Sequence, residues 1–436
     1  MDQKMAIGAS LWLAIATPAS SAPSITVEPS DTTFDTPVAI QVAGLEPHQI
    51  AVIRAHTTDA EGRTWRSHGS YVADGAGAID LQKQPAISGS YYGTDAMGLF
   101  WSMRVAPPVS GDGVYFTYPI AEPGRVDLTV DVDGSSVANA HIVRRTVGPG
   151  IKSRLLNHDG FVGRLFEPED EGRHPAVIVL SGSDGGLGGS SIEAGLLASH
   201  GFVALALAYF GAEEVPEYLE RIPLEYFKRA IDWLQAQDNV ARDQLGVSGI
   251  SRGGELALLL GSVYPEIKAV VAVSPSHVVW DSPKGEPSWT YKGQPIAHIE
   301  SKSNVWAAVD AAGRPYRYLP AGLAELEDPA AVARAAIAVE KINGPILLLT
   351  GEDDQMWPST FMANRAVERL REHRHPFEYL HLSYPMAGHT LPIPYIPTTG
   401  ILEPGWFVVG GTPEGDYRAG LDAWRNELAF LKRHLQ

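Results

Sequence analysis

Residues 249–253 read Gly-x-Ser-x-Gly, with Ser251 at the centre. They follow a predicted strand, residues 245–248, and open a predicted helix, residues 253–264. This is the context of a nucleophile elbow, in which a serine occupies a strained turn between a strand and a helix. Glycine at the flanking positions avoids collisions with those two elements, and the helix start directs backbone N–H groups toward developing negative charge. The pattern therefore predicts Ser251 as the nucleophile of a serine hydrolase.

An acid must follow this serine along the chain, and a histidine must follow the acid. Asp354 comes shortly after a predicted strand over residues 346–349, and such sheets place functional groups at the carboxyl ends of their strands. We predict Asp354 as the acid, because it ends a Gly-Glu-x-Asp turn of the kind found in these hydrolases, with Asp353 as the alternative. The non-catalytic interpretation is that this Asp-rich turn caps the next helix. Glu352 and Asp353 suit that role, and Trp357 is expected to pack nearby.

His389 ends the segment Ala-Gly-His, which follows a predicted strand over residues 377–382. The glycine lets this loop approach the elbow, and about 35 residues separate Asp354 from His389, enough for one helix and one strand. His389 is therefore the predicted general base. Three nearby histidines lie in or beside predicted elements and are expected to pack or face solvent: His373, His375 and His381. Two more fall in an irregular insertion and could contact substrate: His277 and His298.

Two backbone N–H groups are needed to hold the oxyanion of such a reaction. One is predicted to be that of Arg252, directly after the nucleophile. The other is expected from the Gly-rich turn after a predicted strand over residues 176–180, with Ser183 favoured and Asp184 as the alternative. A phosphate-binding loop is the rival interpretation of this turn, but the chain has neither Gly-x-x-x-x-Gly-Lys-Ser/Thr nor a Gly-x-Gly-x-x-Gly in the right place.

The composition excludes several other chemistries. Cysteine is absent, which removes disulfides, Cys-ligated zinc, iron–sulfur clusters and a thiol nucleophile. No His-Glu-x-x-His motif occurs, so we predict neither a metal nor a cofactor. The 34 Lys and Arg against 51 Asp and Glu give a formal net charge of −17, which argues against nucleic acid as a partner.

Residues 1–22 are predicted to be a secretory signal peptide. Lys4 gives a weakly positive start, the apolar stretch over residues 5–16 is short for a membrane span, and residues 20–22 are small. The expected location is periplasmic or secreted, and a cytoplasmic protein with a frayed apolar N-terminus is the alternative. No later stretch has about 18 uninterrupted apolar residues, so no stable membrane insertion is predicted after the signal is removed.

The chain changes character about a third of the way along. Residues 23–147 contain short β-rich runs between turn residues and predict an immunoglobulin-like β-sandwich. Residues 148–436 alternate strands with helices and predict an α/β-hydrolase domain with a mostly parallel, doubly wound sheet, in which an irregular insertion around 275–326 is a candidate lid. Three aromatic residues of the first domain are expected to pack inside it, the alternative being that they reach over the active site: Tyr91, Tyr92 and Trp101.

Several segments resemble the acyl-CoA thioesterase / bile acid-CoA:amino acid N-acyltransferase family, over nearly all of the chain after residue 22. They are residues 35–38, 44–47, 89–99 and 101–103 in the first domain, and residues 208–210, 223–227, the elbow with Glu255, and 384–389 in the second. The resemblance implies a sandwich followed by a hydrolase domain, with Ser251, Asp354 and His389 as the catalytic triad.

Within that family, amino-acid conjugation is associated with a cysteine nucleophile and simple hydrolysis with serine. The resemblance therefore implies hydrolysis of a small-molecule acyl thioester, acyl-CoA, to the free acid and CoA through an acyl-enzyme. Export would separate the protein from acyl-CoA, so the alternative is an exported carboxylesterase or acyltransferase that acts on oxygen esters with the same triad. The oligomeric state is not predicted.

Overall fold

The computed structural model describes residues 22–107, 115–118, 122–158, 160–301, 309, 311, 313, 315–400 and 407–436. The predicted signal peptide lies outside the described residues, apart from Ala22, and so does part of the predicted insertion. In the part of the chain that the structure describes, no helix is long and apolar enough to cross a membrane.

The first domain consists of two facing sheets. Its described elements are β1 Ser24–Glu28, β2 Asp31–Thr33, β3 Ala39–Ala43, β4 Ile50–Thr58, β5 Thr64–Val72, β6 Ile79–Asp80, β7 Ser88–Gly89, α1 Gly98–Trp101, β8 Arg104–Val105, β9 Gly124–Val132 and β10 Ser135–Arg145. The smaller sheet has the order β1-β3-β6, and the larger has the order β2-β10-β9-β4-β5-β7, with β8 paired to β5. Strand β2 runs parallel to β10, and the other pairs are antiparallel.

Strand β4 illustrates why these segments form a sandwich. Its residues alternate between inward and outward positions, which is the period that a pleated strand imposes. Ala51, Ile53 and Ala55 are buried in a core that they share with Ile40 and Val42 of the smaller sheet. Each sheet therefore covers the apolar face of the other, and the chain contains the β-sandwich that the sequence predicts.

The second domain is built around a larger sheet. The described strands of this domain are β11 Ile151–His158, β12 Phe161–Pro168, β13 His174–Leu180, β14 Val203–Ala208, β15 Ile222–Pro223, β16 Val240–Ile250, β17 Ile267–Val273, β18 Trp289–Tyr291, β19 Gln294–Pro295, β20 Ile346–Gly351 and β21 Tyr379–Tyr384. Its helices are α2 Gly188–Ser199, α3 Leu224–Gln235, α4 Arg252–Val263, α5 Leu319–Glu325, α6 Pro329–Ala335, α7 Ser359–Glu372 and α8 Pro413–Leu435, with a short 3-10 helix, Val339–Lys341.

The main sheet has the order β11-β12-β14-β13-β16-β17-β20-β21. Strands β11 and β12 are antiparallel to their neighbours. The other six strands of this sheet run parallel to one another: β14, β13, β16, β17, β20 and β21. Helices α3, α4 and α7 pack on one face, and α2 and α8 pack on the other. This is the topology of the α/β-hydrolase fold, and the predicted fold class is confirmed.

Helix α8 is absent from the elements that the sequence predicts. It is 23 residues long, yet its inner face includes the buried carboxylic acids Asp416 and Glu427. These residues interrupt the apolar stripe by which an amphipathic helix is recognised. The prediction therefore failed where polar groups are buried for a reason that the local sequence does not show.

The described part of the predicted insertion is packed against the hydrolase domain. Val278, Trp280 and Trp289 are buried, and Trp289 lies in β18, which pairs with β15. Residues 302–308 of the insertion lie outside the described residues. The described segment is therefore anchored to the domain by its own tryptophans.

Contacts between the two domains use buried polar and aromatic side chains. Asp35 of the sandwich lies 2.5 Å from Nε2 of His200 and accepts a hydrogen bond of 3.0 Å from Nε1 of Trp424. Trp101 stacks on Tyr417, with 5.2 Å between ring centroids. These contacts fix the sandwich against α2 and α8.

The three aromatic residues singled out in the first domain have different surroundings. Tyr91 is buried and hydrogen-bonds to Tyr71 inside the sandwich, and Trp101 is buried between the domains. The packing prediction is wrong for Tyr92, whose surface is 76% exposed. Its position in the same aromatic segment did not indicate that it faces solvent.

Candidate active site

Ser251 occupies a strained turn between β16 and α4. Its φ is 59°, a left-handed conformation that non-glycine residues rarely adopt. A Cβ on Gly249 would lie 2.3 Å from the carbonyl oxygen of Gly253, and a Cβ on Gly253 would lie 2.3 Å from the carbonyl oxygen of Ser181. Both positions therefore require glycine, and the residues form the elbow that the motif predicts.

His389 and Asp354 are hydrogen-bonded to each other. Nδ1 of His389 lies 2.8 Å from Oδ2 of Asp354, and each residue is only 4% exposed. Because this contact engages Nδ1, Nε2 of the imidazole is the atom left to exchange a proton with a nucleophile.

The Asp354 carboxylate is held by the turn that contains it. Oδ1 accepts hydrogen bonds from the backbone N–H groups of Met356 at 2.9 Å and Trp357 at 3.1 Å. Oδ2 also accepts a bond of 2.6 Å from the Ser359 hydroxyl. These donors fix the orientation of the carboxylate toward the histidine.

Asp353, the alternative acid, points elsewhere. Its Oδ2 accepts a hydrogen bond of 2.9 Å from the backbone N–H of Gly411. The structure therefore brings Asp354 to His389 and uses Asp353 to brace the loop that precedes α8. Trp357 packs edge-on against His389, with 6.0 Å between ring centroids, and so has the packing role expected of it.

Three glycines let the loops of the acid and the histidine meet backbone to backbone. A Cβ on Gly351 would lie 2.1 Å from the carbonyl oxygen of Gly388, and one on Gly388 would lie 2.4 Å from that of Gly410. A Cβ on Gly410 would lie 1.7 Å from the carbonyl oxygen of Asp353. No larger residue fits these positions without moving the loops apart.

Ser274, the residue after β17, connects the serine elbow with the histidine loop. Its hydroxyl donates a bond of 2.6 Å to the carbonyl oxygen of His389, and its own carbonyl accepts a bond of 3.0 Å from Nε1 of Trp357. Its neighbour Val273 accepts a bond of 2.8 Å from the backbone N–H of Ser251. Sequence reasoning missed Ser274, although its place at the carboxyl end of a parallel strand was a usable signal.

The Gly-rich turn after β13 lies against the nucleophile. A Cβ on Gly182 would be 3.2 Å from Cβ of Ser251, and Ser183 and Asp184 are exposed beside it. The backbone of Arg252 begins α4 on the other side of the serine. Gly182, the residue before the predicted donor Ser183, therefore lies beside Ser251, and Arg252, the other predicted donor, directly follows Ser251 in the chain.

The Arg252 side chain is buried away from the elbow and anchors the insertion. Its guanidinium donates to the carbonyl oxygen of Trp280 at 3.0 Å and to the hydroxyl of Ser288 at 2.6 Å, and it pairs with Glu255 at 3.1 Å. Burial raises the pKa of Glu255 to about 7, although the nearby Arg252 lowers it. Nε1 of Trp289 donates to Glu255 at 2.7 Å, so the first turn of α4 is fixed by a buried polar network.

The other histidines make structural contacts. His277 is buried against Phe361, and burial lowers its pKa to about 4. His298 contacts the backbone oxygen of Ile296 and His375 that of Gly344. His381 contacts the hydroxyl of Thr350 and the amide oxygen of Asn364, and His373 is exposed. The described ranges contain no group of three or more His, Asp or Glu side chains that could hold a metal ion.

Comparisons with known proteins agree with this architecture. Residues 35–158 match the family described as acyl-CoA thioester hydrolase/BAAT N-terminal region, and residues 222–436 match BAAT / acyl-CoA thioester hydrolase C terminal. Human acyl-coenzyme A thioesterase 1 is 31% identical over 92% of this chain and 94% of its own length. Mouse acyl-coenzyme A amino acid N-acyltransferase 2 is 31% identical over 93% of this chain and 96% of its own length.

A solved structure also aligns with part of the chain. The putative dienelactone hydrolase of Klebsiella pneumoniae is 18% identical, with a TM-score of 0.43, over 65% of this chain and 99% of that one. The family matches together cover both the sandwich and most of the hydrolase domain. The chain belongs to the acyl-CoA thioester hydrolase / bile acid-CoA:amino acid N-acyltransferase family.

Proposed function

We propose that this enzyme hydrolyses acyl-CoA thioesters to the free acid and CoA, with Ser251, His389 and Asp354 as its catalytic triad. One observation carries the proposal: Nδ1 of His389 lies 2.8 Å from Asp354, whose two carboxylate oxygens also accept hydrogen bonds from their own turn. Ser274 joins the loop of His389 to the strand end that bonds the backbone of Ser251. The family assignment supports the substrate class, because relatives named acyl-coenzyme A thioesterases match nearly the whole chain.

The proposed reaction begins when Nε2 of His389 accepts the proton of the Ser251 hydroxyl. The serine oxygen attacks the thioester carbonyl carbon, and the N–H groups of Arg252 and Ser183 hold the resulting oxyanion. The carbon–sulfur bond then breaks, and the imidazolium protonates the departing sulfur to give CoA. Asp354 orients the imidazole and stabilises its charged form throughout.

Water completes the cycle. His389 removes a proton from a water molecule as that water attacks the acyl-enzyme carbonyl. The second tetrahedral intermediate collapses, the ester bond to Ser251 breaks, and the serine oxygen regains a proton from His389. The products are the free acid and the unmodified enzyme. A serine nucleophile in a chain without cysteine favours this hydrolytic outcome over transfer to an amino acid.

The test is hydrolysis of octanoyl-CoA and of the matching p-nitrophenyl ester by the protein from Pro23 onward. Ser251→Ala is expected to lower kcat at least about ten-thousand-fold without loss of folding, and the exposed Ser136→Ala is the matched control. Near-full turnover by Ser251→Ala would overturn the proposed nucleophile. A strong preference for the oxygen ester would instead favour the carboxylesterase alternative.

Residues 1–22, which resemble a secretory leader, support the carboxylesterase alternative. We propose that they direct export and are then removed. The N-terminal sequence of protein recovered from the periplasm or medium of an expressing bacterium tests this, with Pro23 expected as its first residue. Protein that stays in the cytoplasm and retains residues 1–22 would contradict export and remove the argument against acyl-CoA as substrate.

A further inference from the structure

The loop that carries His389 is bonded to the chain that leads into α8. The backbone N–H of His389 donates a hydrogen bond of 2.8 Å to the carbonyl oxygen of Val409. The backbone N–H of Thr412, the residue before α8, donates one of 2.9 Å to the carbonyl oxygen of Met386. Two backbone bonds therefore join the histidine loop, residues 385–389, to the start of α8.

One carboxylic acid takes part in the same contact. Oδ1 of Asp416, in the first turn of α8, accepts a hydrogen bond of 2.8 Å from the backbone N–H of Gly388. Gly388 directly precedes His389 in the chain, and Asp416 is fully buried. The bond therefore fixes the peptide group one residue before the histidine, and with it the direction in which the chain enters His389.

Two glycines bring the start of α8 into close contact with the histidine loop. A Cβ on Gly411 would lie 2.5 Å from the backbone nitrogen of Gly388 and 2.8 Å from Oδ2 of Asp416. A Cβ on Gly415 would collide with the carbonyl oxygen of Met386. The carboxyl group of Asp416 is therefore enclosed between its own helix turn and the residue that precedes the histidine.

Stability alone does not explain an acid at this position. Burial raises the pKa of Asp416 to about 7, and its Oδ2 has no hydrogen-bond partner among the described residues, so the group costs free energy of folding. A negative charge near the first turn of a helix is favourable, but the exposed Glu414 already supplies one. What Asp416 adds is an acceptor for the buried N–H of Gly388, which needs one.

The bond to Gly388 completes a set of contacts around His389. The imidazole is held by Asp354 at 2.8 Å, and the carbonyl oxygen of His389 accepts a bond of 2.6 Å from the hydroxyl of Ser274. Asp416 holds the residue on the other side of the histidine backbone. A loop freed from Asp416 would move the imidazole, and proton transfer by a general base depends on its distance from the nucleophile.

We propose that Asp416 is a positioning residue for the general base. Through its hydrogen bond to the N–H of Gly388, it holds the histidine loop so that His389 stays aligned with Asp354. The inference rests on the proposed function, because it takes His389 to be the general base. Asp416 acts through Gly388, and the property that matters is its hydrogen-bond acceptor, since its charge is not needed for this contact.

The test compares Asp416→Leu with Asp416→Asn in the full chain, on octanoyl-CoA and on the matching p-nitrophenyl ester. Both substitutions remove the carboxylate, but only asparagine keeps an oxygen that can accept from Gly388. Asp416→Leu is expected to lower kcat about ten- to a hundred-fold, because a displacement of about 1 Å has costs of that order. KM should stay within about two-fold, since no substrate contact is removed. Asp416→Asn is expected to keep most of kcat.

A spectroscopic measurement separates positioning from a purely structural role. The Nδ1–H proton of His389, held by Asp354, should give a downfield proton NMR signal, which is assigned by its absence in His389→Ala. This signal is expected to shift or disappear in Asp416→Leu and to remain in Asp416→Asn. The matched control is Glu414→Leu, which removes an exposed acid of the same helix turn that pairs only with Arg418 among the described contacts. It should keep both the signal and kcat.

The outcomes separate the inference from the proposed function. Wild-type kcat in folded Asp416→Leu would overturn the inference, and so would equal losses in Asp416→Leu and Asp416→Asn. If Asp416→Leu does not fold, Asp416→Ala replaces it with the same expectations. If neither folds while Asp416→Asn does, the inference is also overturned, because the bond then holds the fold and not the histidine. A wild-type protein inactive on both substrates would overturn the proposed function, and the NMR comparison would still decide the inference.

Discussion

Asp354 and Glu193 are both carboxylic acids of the hydrolase domain, but their surroundings differ. Both oxygens of Asp354 are engaged, by two backbone N–H groups, a serine hydroxyl and His389. Oε1 of Glu193 has no hydrogen-bond partner among the described residues. A carboxylate whose oxygens are all occupied by the protein can orient a neighbouring group, whereas burial raises the pKa of Glu193 and favours its neutral form.

The largest expected effect on kcat comes from replacing the Asp354 carboxylate with a neutral amide. Asp354→Asn would replace an acceptor of the Nδ1 proton with an amide and favour the wrong tautomer of His389, so kcat should fall about ten-thousand-fold. The matched control is Asp353→Asn, one residue away, which should retain most of the activity. Steady-state kinetics on octanoyl-CoA measures both. Equal losses would mean that Asp353 shares the role of the acid.

Asp416 has one carboxylate oxygen with a hydrogen-bond partner and one without, and its burial makes the stability of the protein depend on pH. Its Oδ1 accepts a hydrogen bond of 2.8 Å from the backbone N–H of Gly388, but its Oδ2 has no partner among the described residues. Burial raises the pKa of Asp416 to about 7. The folded protein therefore keeps a proton that the unfolded chain releases between about pH 4 and 7, so stability falls as pH rises through this window.

Asp416→Asn is expected to remove this part of the pH dependence. The amide oxygen can still accept a hydrogen bond from the N–H of Gly388. The pH-dependent change in the free energy of unfolding that is lost amounts to at most about 4 kcal/mol between about pH 4 and 7. Urea unfolding at pH 5 and pH 7 measures it, with the exposed Asp238→Asn as control. A variant that loses stability between these pH values as steeply as the wild-type protein would refute the assignment to Asp416.

A smaller effect is expected from removing one donor to Asp354. Ser359→Ala deletes the 2.6 Å hydrogen bond to Oδ2 and leaves both backbone N–H groups in place. Because a hydrogen bond to a charged group contributes about 1.5–3 kcal/mol, kcat should fall about ten-fold. Ser262→Ala, a serine of α4 that bonds only to its own helix among the described contacts, is the comparison. An unchanged kcat would show that the backbone donors suffice.

Local patterns were enough to propose Ser251, Asp354 and His389 as a catalytic triad. Ser251 sits in a five-residue motif, and Asp354 and His389 each follow a recognisable strand. Ser274 and Ser359 were not predicted, because a serine after a strand or at a helix start has many possible roles. Their contacts with His389 and Asp354 become visible only when the loops are folded.

The burial of Glu427 could not be predicted for a different reason. Glu427 meets Ser248, which is 179 residues earlier in the chain, and it lies in the helix that the sequence analysis did not assign. A glutamate in a charged, amphipathic segment normally faces solvent. Its burial depends on the packing of α8 against the sheet, and no property of the local sequence encodes that packing.

The contact of Asp35 with both His200 and Trp424 has a consequence for how this chain can be divided. One buried carboxylate of the sandwich serves as the partner of two side chains of the hydrolase domain, His200 directly after α2 and Trp424 within α8. A hydrolase domain expressed alone would expose the ring of Trp424 and leave His200 without its carboxylate partner. We therefore expect the two domains to be stable only as one unit, and the hydrolase domain without its sandwich to aggregate.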